Sequence, residues 1–438
     1  MSLVRPAANA RQQVDVCIGK AGTLVGRLSY AKQGQRENSS FAYDAGWLGN
    51  ANRLEVSPDL PLLLGHQTRR APSKSDSVFH FALADSAPDA WGRRVIARAH
   101  ARERKRNPQL GALTEMDYLA AVDDFSRVGA LRLRDEGGAF LGSAAQGQQP
   151  APPLIELAHI YAASRAVEQN QETAQDLRYL QGKGTSLGGM RPKCTVLDKD
   201  GTLAIGKFPS VGDSRSVTRG EVLALRLAAK AGIEAAAARI VVLDGDPVAV
   251  IARFDRTADH ARIHYLSAAS MLQASREEER CYVEIADAIR AKCVSPTQDV
   301  QQLWRRMLFN LLITNVDDHL QNHGFLYQGK GQWRLAPAFD INPFPDKDRE
   351  SKTWLTQDTG PIESLEMLLG NAAYFGLAAD AARRVLAQVH QAVSQWRAEA
   401  LGLDVGLRKR ELEDFAPAFE HEAMEAARNV LGLTQKPL

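Results

Sequence analysis

The chain has 438 residues, of which 45% are hydrophobic and 24% are charged, and this composition indicates a globular protein of two or three folding units rather than a disordered chain. Lys and Arg number 54 against 52 Asp and Glu, an excess of two, so no overall field attracts nucleic acid or a membrane surface. The scattered cysteines include no Cys-x-x-Cys pair, which argues against a disulfide framework or a zinc ribbon. The N-terminus has no apolar signal core and the later apolar runs are short, so we expect a cytoplasmic protein without a membrane span.

The first part of the chain alternates strand-like and helical patterns. VDVCIGKAGTLVGRLSYA predicts two strands around a turn at 19–22, and residues 89–103 predict a helix. Small residues, Gln and Pro then replace the periodic pattern up to residue 153. We therefore expect an N-terminal α+β module over 12–135 and a linker or long loop over 136–153.

The second part of the chain predicts a sheet-rich region followed by a helical one. Residues 154–181 have a helical pattern, and PKCTVLD, TLAIGKFP, ARIVVLD and VAVIARFD have strand patterns, with a helix predicted over 219–231. From Ser267 onward the pattern is helical, apart from GFLYQGKGQWRLAPAFD, which predicts two strands about a Gly-Lys-Gly turn. These patterns predict a small sheet-rich lobe over 154–255 and a large helical lobe over 256–438.

The stretch LLITNVDDHLQNHGFLY gathers acids, histidines and asparagines where a helix ends. Asp317 and Asn322 stand in the D-x-x-x-x-N spacing with which kinases present a catalytic carboxylate and a magnesium-binding amide. A predicted hairpin follows, and Asp340 comes directly after it, where a second metal ligand is needed. The order of carboxylate, amide, hairpin and acid indicates phosphoryl transfer.

Two other interpretations of this stretch remain open from the residues alone. Asp317 and Asp318 could merely solvate a loop while Asn322 caps a turn. His319 and His323, four residues apart, could belong to a metallohydrolase site, although His323 leads directly into a strand and helical spacing is therefore not expected.

A phosphoryl-transfer site also needs a cation and a backbone cradle for the phosphates. Lys207 lies in the predicted strand TLAIGKFP, and Glu221 in the next helix could orient it. Residues 201–207 also spell G-x-x-x-x-G-K, but Phe208 occupies the hydroxyl position of a P-loop, so we treat that match as coincidence. The better candidate for the cradle is QGKGTSLGGMRPKCTV, and the alternative for that stretch is a flexible surface loop; its glycines are Gly182, Gly184, Gly188 and Gly189.

Several motifs stand in the order found in a known family. They are VGRLSY, SFAYDAGWL, LEVSPDLPL, SAPDAWGRR and VGALRLR, and later SLGGMRPK, IGKFP, ARFDR, NVDDHLQNHGFLY and LAPAFDINP. Over most of its length the sequence resembles the HipA-type serine/threonine kinases, the toxins of bacterial toxin–antitoxin pairs. The resemblance implies an α+β, two-lobed protein-kinase-like fold, with a small sheet-rich lobe, a large helical lobe and an N-terminal α+β module.

The resemblance also implies a role for each site residue. Asp317 is the catalytic carboxylate, Asn322 and Asp340 hold Mg²⁺, and His319 has a positioning role between base and amide. Ser186 lies where family members carry an autophosphorylated serine. The implied ATP-binding residues are Gly188, Gly189, Lys207, Glu221, and Ala252 and Phe254 at the adenine hinge. The sequence departs from the family at Gln321, where lysine is common, and in Met190-Arg191-Pro192, where Ala-Gln-Glu is more frequent.

The implied function is that of an ATP- and Mg²⁺-dependent protein kinase toxin. Its implied substrate is a translation component such as an aminoacyl-tRNA synthetase, and its implied partner is a small DNA-binding antitoxin, with DNA contacted only through that complex. The seven basic residues in 93–106 could touch DNA or form a solvated face. Two rival functions are a small-molecule phosphotransferase of the aminoglycoside-kinase type and a non-catalytic scaffold for an antitoxin and DNA. The intact set Lys207, Asp317, Asn322 and Asp340 argues against the scaffold.

Overall fold

The structure, a computed structural model, describes residues 9–71, 73, 75–143, 152–181, 189–348 and 350–433. Within these residues the strands are β1 Asn9–Ile18, β2 Thr23–Gln33, β3 Arg36–Tyr43, β4 Gln67–Arg69, β5 Leu131–Arg134, β6 Lys193–Leu197, β7 Leu203–Lys207, β8 Ala238–Leu243, β9 Asp246–Ala252, β10 Tyr265–Ser267, β11 Gly324–Gly329, β12 Gln332–Leu335, β13 Trp354–Thr356 and β14 Gly360–Pro361. The α-helices are α1 Ala45–Leu48, α2 Phe81–Asp85, α3 Ala90–Arg106, α4 Glu115–Ala121, α5 Leu157–Glu168, α6 Ala174–Gln181, α7 Val217–Lys230, α8 Ala268–Met271, α9 Tyr282–Lys292, α10 Pro296–Leu312, α11 Leu365–Gly370, α12 Ala379–Val393, α13 Trp396–Leu401, α14 Leu412–Phe419 and α15 Glu422–Leu431.

The N-terminal module is an antiparallel sheet of order β4-β3-β2-β1-β5 with helices against it. The predicted strand pair is present as β1 and β2, and Gly19 and Gly22 turn the chain at φ values of +76° and +69° that suit glycine. Helix α3 begins at Asp89, whose carboxylate accepts a 2.6 Å hydrogen bond from the Gly92 amide. The cap fixes the start of a helix that reaches the small lobe.

The small lobe has a four-stranded antiparallel sheet of order β6-β7-β9-β8. Helix α7 packs on this sheet because nine of its residues are buried, among them Val222, Leu223 and Leu225. Residues 203–207 form strand β7 instead of a phosphate loop, so the G-x-x-x-x-G-K match is a coincidence, as the sequence suggested. Strand β7 thus holds Lys207 at its end, facing α7.

The large lobe is built mainly from helices around α10. The apolar residues of α10, such as Trp304, Leu308 and Phe309, are fully buried, so this helix is fixed in the core up to the site. The predicted hairpin is present as β11 and β12, with a turn at Lys330. The small lobe, the helical lobe and the preceding module confirm the two-lobed α+β kinase-like fold class, while the domain boundaries stay predictions.

Three details differ from the sequence-based expectations. The helical stretch 154–181 is two helices, because Asn170 is left-handed (φ +60°) and Thr173 pairs with Asp176 at the start of α6. The hairpin β13–β14 lies in a region predicted to be helical, since strands of two or three residues leave no detectable period. In the part of the chain described, no helix is long and apolar enough to cross a membrane.

The basic residues in the first part of α3 bind protein groups, whereas Arg104, Lys105 and Arg106 at its end are exposed. Arg98 contacts the Glu172 carboxylate at 3.0 Å, and Arg102 donates to the Glu172 carbonyl. Arg93 forms a bidentate ion pair with the Glu115 carboxylate. Since Glu172 follows α5, the first two contacts dock the N-terminal module on the small lobe, and this explains much of the positive charge in α3.

A second junction joins the module to the segment between the lobes. The buried Asp255 accepts a 2.8 Å hydrogen bond from the Gly129 amide and pairs with Arg253 and Arg256. Arg256 in turn donates to the Arg127 carbonyl at 2.6 Å. The segment next to the predicted hinge is therefore fastened to the N-terminal module.

Candidate active site

The loop after α10 carries two neighbouring acids, of which one is partly exposed and the other is buried. Thr314 takes a left-handed conformation (φ +53°) that ends the helix, and Asp317 then lies with 38% of its side chain exposed, whereas Asp318 is buried. Only Asp317 is therefore available to a substrate. The loop is not merely solvated, because one of the two carboxylates is built into the core.

Asp318 is the anchor of this loop. Its Oδ2 accepts hydrogen bonds from the Tyr282 hydroxyl and, at 2.7 Å, from the Asn310 amide, and it lies 3.0 Å from His323 Nε2. Burial would raise the pKa of Asp318, but His323 and the hydrogen bonds lower it below its usual value. The Thr353 hydroxyl also donates to its carbonyl at 2.7 Å. Asp318 thus holds the Asp317 backbone in place.

Asn322 and His319 shape the rest of the loop. The Asn322 side-chain nitrogen donates to the Asp317 carbonyl at 3.0 Å, which directs its side-chain oxygen elsewhere, as a metal ligand requires. The His319 amide donates to the same carbonyl at 3.0 Å. His319 lines the cleft described below, while His323 is held by Asp318, so the two histidines do not form a shared metal site.

Asp340 follows the hairpin in a left-handed conformation, with φ of +55°. This conformation is costly for an aspartate and is typical of functional sites. Its Oδ1 accepts a 2.7 Å hydrogen bond from Lys207, and a third of the side chain remains exposed. The hairpin therefore brings Asp340 to the end of β7.

Lys207 joins the two lobes through two carboxylates. Its ammonium lies 2.6 Å from Glu221 of α7 and 2.7 Å from Asp340. Burial alone would lower the pKa of Lys207, but Asp340 and Glu221 raise it above its usual value. Burial likewise would raise the pKa of Asp340, and Lys207 lowers it to about 2. Lys207 is therefore cationic and Asp340 anionic at neutral pH.

A cleft of about 1750 Å³ opens beside these groups, between the module and the two lobes. Its walls include the predicted hinge residues Ala252 and Phe254, with the apolar side chain of Ile205 nearby in the lining. Phe254 also packs against Phe339, with ring centroids 5.4 Å apart, immediately before Asp340. An apolar slot next to a cation suits a purine base with attached phosphates.

The predicted phosphate cradle is described only in part. Gly182, Gly184, Ser186 and Gly188 lie outside the described residues. Gly189 lines the cleft with φ of +93°, and its carbonyl accepts a 3.3 Å hydrogen bond from the Trp91 amide at the start of α3.

Sequence reasoning missed two lysines near the site. Lys193 is buried and pairs with Asp89 at 3.2 Å, close enough to Lys207 and Asp340 for both to affect its pKa, which burial lowers. Lys352 contacts the Asp317 carboxylate at 2.5 Å. The position of Lys193 directly after the glycine-rich loop was a usable signal, whereas nothing in the sequence near Lys352 marks it.

The oxygen ligands fit a magnesium ion. Mg²⁺ in phosphoryl-transfer sites is usually held by one or two side-chain oxygens together with substrate phosphates and water. Asn322 and Asp340 are residues of this type, one with a side-chain amide oxygen and one with a carboxylate. The described residues contain no group of three or more His, Cys, Asp or Glu placed to hold a metal.

Comparison with protein families identifies the chain. Residues 15–134 match the HipA N-terminal domain and residues 185–396 match the HipA-like C-terminal domain, together most of the sequence. The chain belongs to the HipA kinase family. The resemblance inferred from the motifs is thereby confirmed.

Related proteins and a solved structure agree with the HipA assignment. The "Putative kinase Y4mE" of Sinorhizobium fredii is 26% identical over 341 residues, covering 73% of this chain and 75% of that relative. A second relative, the "Putative kinase" of Haemophilus influenzae, is 24% identical over 188 residues, covering 37% of this chain and 55% of the relative. A HipA chain from a Shewanella oneidensis MR-1 structure, described as a complex of HipA, HipB and operator DNA, matches the fold with a TM-score of 0.62 at 15% identity, over 96% of this chain and all of that one.

In this HipA-family chain the predicted site residues that the structure describes form three groups. Lys207, Glu221 and Asp340 are in direct contact. Asp317 and Asn322 share the loop after α10, joined through the Asp317 carbonyl. Ala252 and Phe254 line the adjoining cleft with His319 and Gly189. The catalytic, metal-binding and nucleotide-binding roles assigned to these residues remain predictions.

Proposed function

We propose that this HipA-family protein is an ATP- and Mg²⁺-dependent protein serine/threonine kinase. The observation that carries the proposal is the Lys207 ammonium held between Glu221 and Asp340, at 2.6 and 2.7 Å. Kinases use a strand lysine oriented by a helix glutamate to bind ATP phosphates, and a later aspartate to bind the metal. The exposed Asp317 then supplies the remaining group that the reaction needs.

In the proposed reaction Asp317 orients the substrate hydroxyl and accepts its proton. The hydroxyl oxygen forms a bond to the γ-phosphorus of ATP as the bond between that phosphorus and the bridging oxygen breaks, and ADP leaves. Lys207 stabilises the negative charge on the phosphates. Asn322 and Asp340 would hold Mg²⁺, which supplies further positive charge to the phosphate oxygens.

The proposed partner is a small DNA-binding antitoxin, through which the protein contacts DNA. Support comes from the family and from the Shewanella oneidensis HipA structure, which contains HipB and operator DNA. The earlier arginines of α3 bind groups within the chain. The basic residues of its last turn are exposed and could face DNA; they are Arg104, Lys105 and Arg106.

The proposed substrate is a translation component such as an aminoacyl-tRNA synthetase, together with Ser186 of the chain itself. Both rest on the family resemblance. A phosphate on Ser186 would add roughly −1.5 to −2 charge to a loop that binds phosphates, so it would weaken ATP binding. Comparing the ATP affinity of phosphorylated and unmodified protein tests this effect, and equal affinities would refute it.

Lys207→Met is expected to lower phosphoryl transfer about 10- to 100-fold, because the ATP phosphates lose a buried cation. The measurement is transfer of label from γ-labelled ATP, with magnesium, to the protein itself and to proteins of a bacterial lysate, with mass spectrometry to locate the phosphate. The control is Lys199→Met, which removes an exposed lysine from the turn between β6 and β7.

The outcomes of that labelling experiment separate the rival functions. Label on Ser or Thr of a protein, lost in Lys207→Met and retained in Lys199→Met, supports the proposal. Binding of ATP without label on any protein would favour a small-molecule phosphotransferase. Absence of ATP binding would favour a scaffold.

A further inference from the structure

Lys352, which is not part of the loop after α10, forms an ion pair with Asp317, the proposed base. Lys352 Nζ is 2.5 Å from Asp317 Oδ1, and the two residues are 35 positions apart. The lysine side chain is 60% exposed and lines the large cleft together with His319 and Gln321. The ammonium therefore lies at the edge of the cleft, next to the proposed base.

The backbone around Lys352 is fixed to the loop that carries the base. The Lys352 amide donates to the Val316 carbonyl at 3.2 Å, and the Thr353 hydroxyl donates to the Asp318 carbonyl at 2.7 Å. These two acceptors are the residues on either side of Asp317. Thr353 is buried, and β13 begins directly after it. The backbone at the lysine is thus fixed by these hydrogen bonds and does not depend on the exposed ion pair.

The charges around the site are consistent with a role for the Lys352 ammonium beside Asp317. Lys207 is engaged by Glu221 and Asp340 on the small-lobe side, where it serves the bound nucleotide. On the side of Asp317, the neighbouring position Gln321 is neutral and exposed. During transfer, negative charge spreads over the γ-phosphoryl oxygens next to the base, and a cation there stabilises the transition state.

We infer that Lys352 is a further catalytic residue, which contacts the γ-phosphoryl group while Asp317 contacts the substrate hydroxyl. This inference rests on the proposed kinase function. The base contacts the substrate hydroxyl, and the hydroxyl oxygen must lie next to the phosphorus that it attacks. A cation in contact with the base carboxylate is therefore within reach of the transferred phosphoryl group. The substrate proton goes to Asp317, and Lys352 accepts none.

The test compares Lys352→Met and Lys352→Arg with Lys347→Met. Lys347 is an exposed lysine of the same segment that packs on Phe344, so its removal is a matched loss of charge. Two quantities are measured in the presence of magnesium: the dissociation constants of ADP and of the non-hydrolysable ATP analogue AMP-PNP by calorimetry, and kcat for transfer from labelled ATP. Thermal unfolding establishes that each variant is folded.

In Lys352→Met, kcat is expected to fall on the order of 10- to 100-fold. The affinity for AMP-PNP relative to that for ADP is expected to fall about 5-fold or more, with ADP binding unchanged, because only AMP-PNP carries the γ-phosphate. Lys352→Arg should retain most of the activity, and Lys347→Met should match wild type in both quantities.

Either unchanged or increased kcat in a folded Lys352→Met variant would overturn the inference, and an increase would mean that the lysine blocks the base. Equal loss of ADP and AMP-PNP binding would also overturn it. If the wild-type protein transfers phosphate and only the lysine result fails, the kinase proposal stands. If the wild-type protein neither binds nucleotide nor transfers phosphate, the kinase proposal itself is wrong.

Discussion

Asp317→Asn is expected to lower kcat for phosphoryl transfer by about 10²- to 10⁴-fold, because an amide cannot accept the substrate proton. The KM for ATP should change little, since the nucleotide groups Lys207 and Asp340 contact each other and not Asp317. The side chain is partly exposed and its ion pair is with an exposed lysine, so the change should alter stability by about 1 kcal/mol or less.

The measurement is initial-rate kinetics with labelled ATP and magnesium, using a lysate substrate or the protein itself as acceptor. Asp358→Asn is the control, since Asp358 lies exposed in the β13–β14 turn. A folded Asp317→Asn protein with more than a tenth of wild-type kcat would contradict the role of Asp317 as the base.

Asp318→Ala is expected to lower the free energy of unfolding by about 3–5 kcal/mol. The substitution removes the one oxygen on which Tyr282, Asn310 and His323 converge, and it leaves these buried polar groups without their acceptor. It also loosens the backbone of Asp317, so activity should fall together with stability. The two adjacent aspartates thus have separable effects, one chemical and one structural.

The stabilising effect of Asp318 should depend on pH. Its pKa is lowered in the folded protein, so its contribution is complete above the unfolded value of about 3.9 and is lost as the pH falls through the folded value. The difference in unfolding free energy between wild type and Asp318→Ala should therefore shrink as the pH falls below about 4. Urea unfolding at several pH values measures it, with Asp317→Ala as control. Equal stability of the Asp318→Ala and Asp317→Ala proteins would refute the anchor role.

The sequence was informative where the site depends on local order. Asp317 and Asn322 are five residues apart on one loop, and a hairpin of ordinary length brings Asp340 back. Spacing therefore predicted most of the grouping. Lys207 and Glu221 were also predictable, because a strand with apolar flanks followed by a helix with an early glutamate places the two side chains on facing elements.

The sequence was uninformative where contacts join distant segments. Lys193 and Asp89 are 104 residues apart and their contact depends on how the module docks. Lys352 reaches Asp317 only because Thr353 is fixed to the catalytic loop, and no period or motif marks that attachment. From the sequence, the arginines of α3 resembled a solvated face, because their acceptors around Glu172 lie in a distant segment of the chain.

The central claim is that Lys207, Asp317, Asn322 and Asp340 form one magnesium–ATP site. A crystal structure of the full chain with AMP-PNP and magnesium tests it most directly. We predict the purine between Ala252, Phe254 and Ile205, the phosphates on Lys207, a magnesium ion bound by Asn322 and Asp340, and the Asp317 carboxylate facing the γ-phosphate without binding the metal. A nucleotide bound elsewhere, or a metal that does not involve Asn322 and Asp340, would contradict the account.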